Sequence, residues 1–189
     1  MLLKIEREVC LAKYRNFPLS PYDPNTDEEV LYYPKTFDGG WYTLPSKSKK
    51  EFPGILKAEL TSFIRVCGFE HLIFFGDKTT PWITKLSASR TDDKSIGKAV
   101  QYFKENKLGK NFNGGVQVGI TDLPEFITHF YCITRTDASF HEFHFSDPLQ
   151  NMLGFIHPGG EVLLQCLKGD FNKKFSDALL KTKFKPKSR

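Results

Sequence analysis

The chain has 189 residues, long enough for one domain that buries roughly 70% of its unfolded surface and needs no disulfide or metal staple. Hydrophobic residues make up 40% and charged residues 26%, the proportions of an ordinary folded protein, and no stretch approaches the roughly 20 apolar residues that span a bilayer. The four cysteines, Cys10, Cys67, Cys132 and Cys166, form no CxxC pair, which argues against a zinc ribbon or a thioredoxin-like site.

Phenylalanine is the compositional outlier, with 18 residues against 2 Met and 2 Trp. Buried aromatic rings favour extended backbone, so a sheet-based core is expected. Cys67, Cys132 and Cys166 sit in apolar runs, as reduced core thiols do, and a cytoplasmic protein is expected. The net charge of +5 is concentrated in Lys47, Lys49 and Lys50 and in Lys181, Lys183, Lys185, Lys187 and Arg189. The amino-terminal MLLKIEREVCLAKY is broken by charge at short intervals and has no leader-like apolar run.

Residues 1–16 can form a helix or a strand, because Leu3, Ile5, Val9 and Leu11 alternate loosely around Glu6, Arg7 and Glu8. Residues 16–29 carry three prolines and several turn formers, a surface loop suited to a lid or a partner contact. Strands are predicted at 30–33 and, after an Asp38-Gly39-Gly40 turn, at 41–44. A basic linker, PSKSKKEFP, leads into a helix over 54–66, whose apolar stripe is Ile55, Leu56, Leu60, Phe63, Ile64 and Cys67. Gly68 is its stop signal. Residues 72–75 read as a buried strand, and a turn at Lys78-Thr79-Thr80-Pro81 returns Trp82 and Ile83 to the core. A second helix over 93–105, capped by Thr91 or Asp92, buries Ile96, Ala99, Val100 and Phe103.

Asn113-Gly114-Gly115 turns into a strand at 116–120. Residues 126–135 and 140–146 read as a strand pair separated by Thr136-Asp137-Ala138-Ser139. Residues 152–156 and 161–168 flank a Pro158-Gly159-Gly160 hairpin turn. Asp170 caps a terminal helix with Phe171, Phe175, Ala178 and Leu179 on one face, and a flexible basic tail follows from about residue 184. The fold class is therefore α+β in one domain, 1–189: an antiparallel meander of about five to seven strands with about three or four packed helices and a C-terminal helix.

The segment FITHFYCITRTDASFHEFHFSD holds three of the five histidines. A turn centred on Asp137 and Ala138 sets Arg135 opposite Phe140, Ile133 opposite Glu142, Tyr131 opposite His144 and His129 opposite Ser146. One face then carries His129, Tyr131, Arg135, Glu142 and His144; the other, with Phe130, Cys132, His141, Phe143 and Phe145, is the core. The polar face is either a solvated sheet surface, a recognition surface, or an acid/base or metal site built on His129, Glu142 and His144. Two histidines across one strand pair are too few donors for a metal unless Asp147 or His157 also arrives, so no metal and no cofactor are expected.

Other chemistry is not assembled. There is no GxSxG, and the glycines of 114–119 bracket a strand instead of linking strand to helix as a dinucleotide fingerprint requires. His157-Pro158-Gly159-Gly160-Glu161 lacks the lysine and helix of a phosphate loop. Trp41, Trp82, Tyr32, Tyr33 and Tyr42 could instead line a groove beside the proline-rich loop. The leading reading is a non-enzymatic binding protein that recognises a protein or small-molecule partner through Tyr131, Arg135, Glu142, His144 and His129 or through adjacent loops. A metal-dependent or acid/base hydrolase is the second reading. Nucleic-acid binding by the basic termini is the third, and no membrane partner is expected.

Overall fold

The structure, a computed structural model, describes residues 2–18, 22–23, 28–29, 34–140 and 142–187, with backbone alone at 22–23 and 28–29. The strand expected at 30–33, Tyr32, Tyr33, His141 and half of the loop at 16–29 (19–21 and 24–27) lie outside the described residues.

Alternation along the strands builds the molecule. The chain opens with β1 (Leu3–Ile5) and α1 (Arg7–Lys13), so the first segment holds both a strand and a helix. A small ribbon, β2 (Tyr22–Asp23) with β3 (Glu28–Glu29), precedes β4 (Asp38–Thr43), α2 (Phe52–Val66) and β5 (His71–Phe75). Then come α3 (Lys85–Ser89), α4 (Lys94–Glu105), β6 (Gly115–Gly119) and α5 (Leu123–Thr136). The chain ends through β7 (His144–Ser146), β8 (Met152–Ile156), β9 (Val162–Cys166), α6 (Asn172–Leu180) and β10 (Lys185–Pro186). Among the described residues, one antiparallel sheet runs β1-β6-β5-β7-β8-β9-β4-β10, eight strands where somewhat fewer were expected. The meander proper is β7-β8-β9; β5, β6 and β1 extend it on one side, β4 and β10 on the other.

Phe74, Val116, Phe145, Leu164 and their same-face neighbours point into a layer of α2, α4, α5 and α6. Ile73, Phe75 and Leu153 point the opposite way, where Cys10 of α1, Tyr14 and Phe17 cover them. The phenylalanines concentrate in the helical layer: the Phe74 ring lies 4.6 Å from Phe126, 5.2 Å from Phe130 and 5.3 Å from Phe145. Each such ring contributes about 1.5–3 kcal/mol by leaving water. Trp82 is fully buried against the Phe143 ring at 4.7 Å, and its indole N–H donates to the Gly114 carbonyl at 2.8 Å. A buried tryptophan must satisfy that donor, which ties the 77–84 loop to the start of β6.

The main correction falls on residues 126–146. Residues 123–136 are helix α5, and the expected strand pair does not form. The buried residues Leu123, Phe126, Ile127, Phe130, Ile133 and Thr134 follow a helical period, and a proline in the first turn starts the helix. The segment's β-branched and aromatic residues mimic a strand locally, but packing on the sheet decides for helix. Only β7 remains extended, and it pairs with β5 and β8.

Smaller corrections have local causes. Gly39 (φ +112°) and Gly40 lie inside β4, where the Gly39 backbone sits too close to the Leu164 carbonyl for a side chain. Asp93, not Thr91 or Asp92, caps α4, accepting from the Ser95 and Ile96 amides. Asp170 lies within a single 3-10 turn, Gly169–Phe171, before α6 and does not cap it. Past Phe184, which is buried, Lys185 and Pro186 pair with β4 where a free tail was expected. The α2, β5 and β8–β9 hairpin expectations hold, with Gly68 and Gly160 at positive φ as their turns require. All four cysteines are free thiols. Among the described residues no helix is long and apolar enough to cross a membrane.

Candidate functional site

Winding residues 123–136 into a helix redistributes the five nominated side chains. His129 faces α4, its ring stacked on Tyr102 at 4.3 Å. Burial lowers its pKa, partly offset by Glu125 and Glu105 nearby. His144 is buried in β7 on the sheet face opposite α5, 5.0 Å from the Phe155 ring, with Nδ1 3.2 Å from the Glu142 carbonyl. Burial pushes its pKa down to about 4, so the ring is neutral at pH 7. Glu142 sits in the α5–β7 connection at φ 62°. The three groups nominated for hydrolysis therefore stand on α5, on the α5–β7 connection and on β7, with the two histidines on opposite sides of the sheet. Among the described residues no group of three His, Cys, Asp or Glu converges as metal ligands would.

Tyr131 and Arg135 do come together. They are one helical turn apart at the end of α5, where i and i+4 share a flank. They line a cleft of about 240 Å³ with Ser46 and Lys49 from the turn before α2, Phe52 at the start of α2, and Pro158 and Gly159 from the β8–β9 hairpin. Sequence proximity could not reveal this set, which draws on three separate segments. Its signals were present singly: the basic linker, and a glycine turn that looked merely structural.

Each wall is held locally. Before α2, the Ser48 hydroxyl accepts the Glu51 amide while the Glu51 carboxylate accepts the Lys47 amide, a reciprocal arrangement close to a capping box. On the hairpin, Glu161 accepts from Lys187 Nζ at 2.9 Å and faces His157 Nδ1 at 3.0 Å. The hydrogen bond from Lys187 is the main reason the Glu161 carboxyl falls to about 2. The Tyr131 ring is buried against Phe52 at 5.5 Å. Burial raises its hydroxyl pKa, and the nearby Arg135 guanidinium opposes that rise.

The lining carries two cations, Arg135 and Lys49, with the Glu161 carboxylate close to Gly159 and Tyr131 but held by Lys187. Arg135 is exposed and reaches the Lys49 carbonyl at 3.5 Å. Among the described residues neither Lys49 nor Arg135 has a carboxylate partner, whereas Lys183 pairs with Glu59 and Lys187 with Glu161. Lys47 and Lys50 are exposed in the same turn. An aromatic hydroxyl, a guanidinium and an ammonium around one small cavity can hold an oxyanion with charge-assisted hydrogen bonds. Comparison with protein-family models, curated proteins and solved structures finds no match, so the functional reading rests on this geometry.

Proposed function

We propose that the chain is a non-enzymatic binding protein that captures an acidic side chain of a partner protein in the Tyr131–Arg135–Lys49 cleft. The observation that carries this reading is the convergence of two cations without carboxylate partners on a cavity of about 240 Å³ with an aromatic wall. That volume is below the roughly 300–1,000 Å³ of ordinary small-molecule pockets but suits a single inserted side chain. Tyr and Arg are the residue types that most often anchor such contacts. The buried free thiols Cys10, Cys67 and Cys166 fit a reducing compartment, and cytoplasmic action is part of the proposal. The basic ends favour nucleic acid less, because Lys183 and Lys187 are already neutralised by Glu59 and Glu161.

The test is differential capture. Proteins retained on the immobilised chain at low salt are compared with those retained by Arg135→Glu and by Lys49→Glu. Both side chains are exposed, so folding should be unchanged by circular dichroism and melting temperature. The expected result is a retained protein whose affinity falls roughly tenfold or more in each variant and declines with salt. Retention indifferent to both reversals would remove the cleft from the account.

A further inference from the structure

A larger groove, of about 810 Å³, opens between the 77–84 loop, helix α3, the turn at 109–112 and Ser139. Its size falls within the range of small-molecule sites. Two lysines, Lys85 and Lys110, stand in its lining, while the nearest carboxylates, Asp77 and Asp137, lie behind the wall and are occupied by the lining residues Thr79, Thr84 and Ser139. Among the described residues neither has an ion-pair partner, in contrast to Lys173, Lys183 and Lys187, which face Asp177, Glu59 and Glu161. Pro81, Ile83 and Leu86 give the groove an apolar wall.

One wall of the groove is held by a buried hydrogen-bond network. The buried Asp137 carboxylate accepts from the hydroxyls of Thr84 and Ser87 on one oxygen. Its other oxygen accepts from the Ser139 hydroxyl at 2.6 Å and the Ser139 amide at 2.9 Å. This network pins the start of α3 to the end of α5 and so fixes that one wall of the groove. It also sets the polarity of the rim. The Ser139 proton is directed at Asp137 and the Ser89 proton at the Leu86 carbonyl, leaving both oxygens to act as acceptors.

We infer that this groove binds a small phosphorylated ligand that also carries an apolar ring and hydrogen-bond donors, the chemical class of a nucleoside monophosphate. The lysines would take the phosphate, Pro81, Ile83 and Leu86 the ring, and Ser89 and Ser139 the donors. The site is separate from the α5 cleft and stands or falls independently of it.

Amide chemical-shift titration of the whole chain with AMP, GMP, CMP and UMP tests the inference, with inorganic phosphate and adenosine as controls. At least one nucleotide should give saturable shifts concentrated at Leu86, Ala88, Ser89, Asn111 and Ser139. Lys85→Glu and Lys110→Glu should each weaken that response roughly tenfold while leaving the remaining spectrum in place. Adenosine and inorganic phosphate should each respond more weakly than the nucleotide. The inference is overturned by the absence of saturable shifts, by an undiminished response in both variants, or by inorganic phosphate alone matching the nucleotides.

Discussion

Two buried ionisable side chains make the stability of this protein respond to acid in separate windows. His144 has a folded pKa of about 4, below its ordinary value, so the unfolded chain binds the extra proton between the two. Its contribution is intact above pH ~6.5 and is lost as pH falls toward 4, on the order of 3 kcal/mol in full. Urea unfolding between pH 7 and pH 4.5 should show this slope, and His144→Gln should flatten it. Asp137 behaves differently. Burial alone would raise its pKa, but donation from Ser139, Ser87 and Thr84 outweighs it and the net shift is downward. Its contribution is therefore present above about pH 3.9 and is lost as pH falls through the lower folded value. Asp137→Ala leaves three hydroxyls without their acceptor and should cost about 2–3 kcal/mol at pH 7, read from the urea midpoint at unchanged slope.

Helix α5 carries the largest consequence at the level of elements. Thr128 is exposed near its middle, and its hydroxyl returns to the Pro124 carbonyl at 3.0 Å. Thr128→Pro removes a helical hydrogen bond and should destabilise by about 3 kcal/mol or more, measurable by thermal or urea unfolding. In β8, Gly154 lies opposite Phe145, whose ring would sit 2.2 Å from any Cβ placed there. Gly154→Val should therefore lower the melting temperature sharply, by about 2–4 °C for each kcal/mol lost. These two elements also mark how far the sequence could be read. The β8–β9 hairpin was legible because its Gly-Gly turn and flanking apolar runs are local signals. Helix α2 was legible because its stripe recurs at one period over the whole element. Residues 126–135 read as a strand in isolation because aromatic and β-branched side chains suit both states, and only contact with α2, α4 and the sheet selects the helix. The strand pair at 126–146 disappeared with that choice. Tyr131 and Arg135 share a face in either state, because a spacing of four is even on a strand and close to one turn on a helix, but only the helix makes them neighbours.

Across the whole molecule, the sheet separates two environments. The helical side is a continuous aromatic core, while the opposite side holds a smaller cluster under α1 and encloses His144. The proposed binding cleft lies where three segments meet: the turn before α2, the end of α5 and the tip of the β8–β9 hairpin. No local pattern could announce such a site, because its charges become neighbours only when helices and sheet pack together. The basic tail follows the same logic, since β10 joins β4 and places Lys187 on Glu161, behind the hairpin tip. Hydrogen–deuterium exchange of the chain with and without its captured partner probes the arrangement most directly. Binding should slow exchange together in 46–52, 131–135 and 157–160 and leave the 98–105 face of α4 unchanged. Protection that spares those three segments and falls elsewhere would contradict the account.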